Sequence, residues 1–442
     1  MDHYLKTYPL EEEKILNALI VKADSFEQLR FARPEYDPSS FDQISSLYQN
    51  YIIKKYSPVF GKIVLFSPDD DILNRMDQDP HIFDPLSSIS GQFRENILIR
   101  SREICFRNRE TEDLYQSMER KGRLSVAEGK RNKVSFVPVG RQMGYLSRSF
   151  SDASLAVNTS FFVMDQWDCA TMFDYAGIPL GLMIENGEVL NPAQYDREAF
   201  LIRKDGSISV EPFSLKQLKV EIDETIFEHG KNCIFCERLH ERITPRGGID
   251  LIIRNGQLIA CLPDGLNPVP SGGFVIHTDE KISFTSKQKV TYHAPEDIIF
   301  AIQVGNSVMR NGQSTDRFLS PFYRFYDPFS VSYPPSMYTL NFRKTRAPRI
   351  LFGSDRDGKP MFIWIEGAGK FGHVAGEESE GASMSEAVMV AKDAGMFNGI
   401  HLDGGGSAQI LMNGKRSLHL SDRDAQTGKE IERAVPMALI IR

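Results

Sequence analysis

The sequence predicts an α+β protein, with mixed sheets built from short hairpins, a few helices, and a mainly helical N-terminal region. Three observations carry this expectation. From about residue 133 onward, short apolar runs alternate with Asn-Gly and Asp-Gly pairs, the residues that a tight hairpin turn demands. One segment, Ser383 to Gly395, has a helix start and a helix stop at the right separation. The first 125 residues instead space their apolar side chains at helical intervals.

Taken in order, Leu10, Ile15, Leu16, Leu19 and Ile20 predict a helix over Leu10 to Ala23. Ile44, Leu47, Tyr48, Tyr51 and Ile52 predict a second over Phe41 to Ile53. Gly61 to Phe66 reads as a short strand. Arg94 to Lys130 is dense in charge of both signs, which suits a solvated helical face first and a docking surface for a protein partner second. The strands then begin with Val134 to Pro138 and Leu155 to Val157. Hairpins are expected at Asn186-Gly187, Asp205-Gly206, Asn255-Gly256, Asn311-Gly312, Asp357-Gly358 and Asn413-Gly414, each flanked by apolar runs. Their irregular spacing excludes a fixed-period solenoid. Between them, Ser383 and Glu386 form an S-x-x-E capping box, and Gly395 supplies the stop. The expected division is an N-terminal region over 1–125 and a second domain over 130–442.

A chain of 442 residues, 41% hydrophobic and 25% charged, has the composition of a water-soluble globular protein. The formal charge of -7 argues against a nucleic-acid partner. No apolar run approaches the ~20 residues that span a bilayer, so no membrane partner is expected. The first residues carry no apolar signal segment, and the five cysteines are sparse and odd in number. Together these give a cytoplasmic expectation. Cys233 and Cys236 form a lone CxxC, with His240 and Cys261 as the only further ligands at hand. Incidental thiols are the first reading, a structural zinc the second. No other spaced ligand cluster is visible, and no cofactor is implied.

The most informative stretch is His401-Leu402-Asp403-Gly404-Gly405-Gly406-Ser407. Triple glycine costs backbone entropy, so it is kept where the chain needs unusual torsions or close backbone approach. A strand ending in Asp-Gly-Gly-Gly-Ser offers N–H groups, a carboxylate and a hydroxyl at one place. That is equipment for an anionic or polyhydroxylated ligand. His401 shares a side of the extended chain with Asp403 and reads as a structural histidine.

Several segments resemble the phosphodiester glycosidase family: Leu402 to Lys415 with its DGGGS core, Arg433 to Leu439 in the tail, Ala347 to Gly353, Phe362 to Gly367, Val157 to Phe162, and Pro179 to Gly187. The resemblance covers about residues 130 to 442. Two turns depart from it: Thr159-Ser160 stand in place of two glycines, and Asn306-Ser307 in place of Gly-Pro. The resemblance implies a hydrolase that cleaves the glycosidic bond of a sugar-1-phosphodiester, a small molecule or glycan. The alternative is a non-catalytic module that binds a sugar phosphate or another anion.

Such a reaction releases a phosphomonoester, a weak base that needs little acid assistance. What remains is to hold the phosphate charge, steady an oxocarbenium-like ring and deliver water. On this basis Asp403 is the expected nucleophile, base or cation stabiliser, Glu366 the second acid, and Arg349 the phosphate-holding member of the catalytic set. Arg197, Asn158, Asn306, Gly404, Gly405, Gly406 and Ser407 are expected to bind substrate. Glu386 is assigned to its helix cap.

Overall fold

The computed structural model describes residues 1–11, 14–37, 143–163, 177–194, 197–237, 247–263, 269–270, 272–280, 288–315, 346–367, 379–424 and 427–442, together with the backbone of short strands within 63–138. The fold is β-rich. Among the described residues α-helix occurs only at Leu146–Ser149 and Met384–Asp393, which corrects the α+β expectation and its helical N-terminal region. The segment expected as a first helix, Leu10 to Ala23, holds instead the second strand of a hairpin: Asp2–Pro9 pairs antiparallel with Ile15–Lys22, from Asp2 opposite Lys22 to Pro9 opposite Ile15. The misreading has a physical cause. Ile15–Lys22 is buried on both faces, so its apolar residues form a nearly continuous run, and periodicity cannot separate such a strand from a buried helix. The second expected helix, Phe41 to Ile53, and most of the charged stretch 94–130 lie outside the described residues.

A seven-stranded antiparallel sheet forms the middle of the molecule. Its order is Asp2–Pro9, Ile15–Lys22, Pro360–Ile365, Arg349–Ser354, Asn398–His401, Ser307–Arg310 and Gln313–Ser314. The N-terminal hairpin is thus built into the same sheet as the C-terminal strands, with Ile20 opposite Ile363. Helix Met384–Asp393 covers one face, packing Ala387, Val388 and Ala391 into a cluster with Leu16, Ile20, Leu351 and Ile363. The opposite face, through Leu19, Ile350, Phe352, Trp364 and Ile400, meets two five-stranded sheets. One sheet supplies Leu155, Val157, Ile410 and Leu439; the other supplies Phe200, Ile202, Phe300 and Ile302. Alternate side chains of that second sheet, such as Ala199 and Leu201, face a further core shared with three- and four-stranded sheets over 219–293.

The turn chemistry reads as the sequence implies. Asn186, Asn255, Asn311 and Asn413 have φ of 48–52°, and the glycines that follow have φ of 72–82°. Two positive φ values in succession define the turn whose twist matches the flanking strands. The expected cap is also present: Ser383 and Glu386 bond reciprocally, and Glu386 further pairs with Arg346. No helix among the described residues is long and apolar enough to cross a membrane.

The sheet over 234–278 decides the zinc reading. Cys236 lies on the first strand and Cys261 on the fourth of the order Ile234–Cys236, Gly273–Thr278, Ile249–Arg254, Gln257–Pro263. Three inter-strand steps separate them by roughly 14 Å, too far to share one ion. Cys233 and Cys236 pack into different apolar clusters. Burial pushes the Cys233 thiol up to about 12. His240 lies outside the described residues.

Candidate functional site

Strand Asn398–His401 runs between Arg349–Ser354 and Ser307–Arg310 and delivers the glycine run to the end of the large sheet. Ile400 and Leu402 point into the core, so His401 and Asp403 share the other side of the chain. Beyond the strand the backbone is stapled at each step. Leu402 N–H donates to Ile350 O at 2.8 Å, Asp403 N–H to Thr159 O at 2.8 Å, and Gly405 N–H to Pro348 O at 2.9 Å. Gly405–Ser407 then makes a single 3-10 turn. Several of the N–H groups expected to form an anion cradle are therefore already spent within the loop.

Each of the three glycines has its own reason. A Cβ on Gly404 would lie 2.6 Å from Pro348 O, a backbone atom that cannot yield. Gly405 has φ of +59°, and the space beside it is open. A Cβ on Gly406 would lie 2.2 Å from Arg433 Nη2 and 2.3 Å from both oxygens of Asp422. Arg433 and Asp422 form a two-point ion pair there, with Nε to Oδ2 at 2.9 Å and Nη2 to Oδ1 at 3.1 Å. The missing side chain lets this pair reach over the loop, and Arg433 Nη1 donates to Ser407 Oγ at 3.4 Å.

Asp403 is buried, and its Oδ2 has no hydrogen-bond partner. Burial pushes its carboxyl up to about 7, against opposing pulls from the Ser407 hydroxyl, the Arg433 charge and the Gly404 N–H. His401 is equally buried, and its Nε2 lacks a partner. Burial holds its pKa well below the usual imidazole value, and the positive charge of Arg349 adds to the effect. Thr159 Oγ1, Ser160 Oγ and Gln409 Oε1 are likewise buried and unsatisfied. A buried polar atom without a partner is costly, so five of them around one loop point to a ligand or bound water as the missing partner.

The remaining expected residues divide between the site and its scaffold. Asn158 does not face an opening: its Nδ2 donates to Asp403 O at 2.8 Å and its Oδ1 accepts from Gln409 N–H at 2.9 Å. One side chain thus ties the two ends of the glycine loop. Arg349 donates through Nε to Ala382 O at 2.9 Å, beside the capped helix, with its charge near His401. Asn306 accepts His401 N–H through its backbone at 2.9 Å. Arg197 is buried behind that turn, donating to Gln194 O at 3.2 Å and to Val304 O. Glu366 is also a tie. Its Oε2 accepts from Asn17 Nδ2 at 2.9 Å and its Oε1 from His419 N–H at 2.8 Å, so the expected second acid joins the N-terminal hairpin to the 418–420 segment.

Sequence reasoning missed His401 as an unsatisfied group, and missed Gln409, Asp422 and the hydroxyls of Thr159 and Ser160. Arg433 stood in the recognised tail motif but carried no assigned role. Asp422 gives no local signal, because its importance arises only when the chain folds back over Gly406.

The phosphodiester glycosidase family matches residues 242–442. Over this stretch, just under half of the chain, the protein is similar to a phosphodiester glycosidase domain. The stretch contains Arg349, His401, Asp403, the three glycines, Ser407, Asp422 and Arg433, while Asn158, Thr159 and Ser160 come from outside it. No curated protein matches the chain. Among solved structures, a Synechocystis protein aligns at TM-score 0.43 and 13% identity, covering 99% of this chain; this chain spans 61% of that one. The zebrafish N-acetylglucosamine-1-phosphodiester alpha-N-acetylglucosaminidase catalytic domain, auto-inhibited by its pro-peptide, aligns at TM-score 0.41 and 12% identity, covering 100% of this chain and 82% of that one.

Proposed function

We propose that this protein is a hydrolase that cleaves the glycosidic bond of a sugar-1-phosphodiester and releases free sugar and a phosphomonoester. The match of residues 242–442 to the phosphodiester glycosidase family supports the reaction class. The observation that carries the reading is Asp403: a buried carboxylate with one oxygen unsatisfied, at the end of a glycine loop, with arginine charge near it and near its neighbour His401.

In this reading Asp403 Oδ2 takes a proton from water as the water oxygen bonds to the anomeric carbon. The bond from that carbon to the phosphate oxygen breaks, and the phosphomonoester leaves with its electron pair. A carboxyl near 7 suits this task, because a base works best with its pKa close to the working pH. Ser407, bonded between Asp403 and Arg433, fixes the other carboxylate oxygen. Arg349 and Arg433 supply the positive charge that a phosphate in the site requires. Asn158 and the glycines hold the loop that makes this geometry.

The test is to incubate the protein with a panel of glycosyl-1-phosphodiesters and follow free sugar. Turnover that disappears in Asp403→Asn, with the fold intact, is the expected result. Binding without turnover by the wild type overturns the hydrolase reading and leaves a binding module.

A further inference from the structure

The mechanism above leaves one buried group unused. The imidazole of His401 sits between two glycines. A Cβ on Gly305 would lie 2.7 Å from its Nδ1, and a Cβ on Gly404 would lie 3.4 Å from its Nε2. Both neighbours have thus given up side chains where the ring lies. The backbone on either side is also fixed: His401 N–H donates to Asn306 O at 2.9 Å, and Gly305 N–H donates to His401 O at 2.8 Å. A ring held this tightly by its surroundings, with Nε2 buried and unsatisfied, is built to meet something that is not part of the chain.

The surroundings indicate what it meets. His401 and Asp403 are two residues apart on one side of an extended chain, which sets their Cα atoms roughly 6.6 Å apart. That interval suits a single hydroxyl-bearing ring carbon between the two side chains. Asp403 Oδ2 and Gln409 Oε1 are acceptors that call for a donor, and a sugar hydroxyl provides one. The charge of Arg349 lies beside the ring, and in the reading above it serves the phosphate, so a second cation at His401 is not needed there. We propose that His401 contacts the substrate directly through Nε2, gripping a hydroxyl of the sugar ring on the same side as Asp403 and so helping to set which sugar is accepted.

This rests on the sugar-1-phosphodiester reading, and the experiment separates the two. The probes are N-acetylglucosamine-1-phosphate, glucose-1-phosphate and inorganic phosphate, titrated against wild type and His401→Asn. The expected result is sugar-phosphate binding weakened about tenfold or more in the variant, with inorganic phosphate affinity unchanged, since one hydrogen bond to an uncharged group is lost. The side-chain nitrogen resonances of wild-type His401 should move on adding a sugar phosphate and stay in place with phosphate alone. That measurement also decides the matter if the variant fails to fold. Unmoved resonances, or equal weakening for phosphate and sugar phosphate, overturn the role of His401 while leaving Asp403 and the hydrolase reading intact. A wild type that binds none of the sugar phosphates and turns over no diester overturns both.

Discussion

The molecule contains two buried histidine–aspartate neighbourhoods, and they are built in opposite ways. In the four-stranded sheet, Asp250 and His277 are register partners on adjacent strands, and their side chains meet directly, Nδ1 to Oδ1 at 2.9 Å. In the large sheet, His401 and Asp403 follow one another along a single strand end. Each leaves one polar atom without a partner, and the carboxyl of Asp403 is pushed up to about 7. Burial is the same in both places, and the Nε2 of each histidine lacks a hydrogen bond; what differs is the carboxylate, met by the imidazole at Asp250 and left with one oxygen open at Asp403. Cross-strand neighbours can meet directly, whereas residues two apart on one strand face the same way and leave the carboxylate open to a third party.

The contrast makes graded predictions. Asp403→Asn should lower turnover of a glycosyl-1-phosphodiester by about 10³-fold, at the level of losing a general base. The same substitution should stabilise the protein above neutral pH. The folded state holds the Asp403 proton up to about 7 while the unfolded chain releases it near 3.8, so wild-type stability falls as pH rises between those values. A shift of that size costs on the order of 4 kcal/mol. The melting temperature of the variant should therefore exceed that of wild type at pH 8 and approach it near pH 4. Equal differences at both pH values would show that Asp403 is not held protonated.

Gly406→Ala should force Arg433 and Asp422 apart. It should cost about 1–3 kcal/mol in denaturant unfolding and a large part of the activity. Asp250→Ala is its counterpart in the directly bonded pair. It should cost a similar 1–3 kcal/mol by leaving His277 without that carboxylate, and leave turnover unchanged. Arg433→Gln removes a charge that lowers the Asp403 pKa. The rise in kcat/KM with pH, centred near 7 in the wild type, should move about one unit higher. The smallest effect is expected at Glu366→Gln. Stability should drop by about 1 kcal/mol and turnover should change less than about threefold, because the residue ties Asn17 to His419. A loss as large as that of Asp403→Asn would return Glu366 to the reaction.

The sequence announced the parts of the fold that are encoded locally. Asn-Gly turns, the Ser383–Glu386 cap and the glycine loop each depend on residues within a few positions of one another. It misled where burial erased the pattern. Ile15–Lys22 lies under apolar layers on both faces and lost the alternation that marks a strand. At the site, Asp403 and the glycines were legible because their chemistry is concentrated in one run. The opposite applies to Asp422, which matters through a contact across the loop, and to Glu366, whose carboxylate bridges Asn17 and the His419 N–H, a tie that no local signal shows. His401 looked structural because nothing in its neighbours reveals that Nε2 has no one to bond.

The N-terminal hairpin also bears on how the chain is made. Ile15–Lys22 leaves the ribosome about 340 residues before its partner Pro360–Ile365, which at ordinary synthesis rates is a delay of roughly 20–70 s. A two-stranded hairpin is marginal alone, and this one carries Leu16, Leu19, Ile20 and Val21 exposed until the sheet closes over them. For that interval the nascent chain presents a sticky, β-prone segment to its neighbours in the polysome, so yield in the cell should depend on holdase capacity more than on the stability of the finished protein.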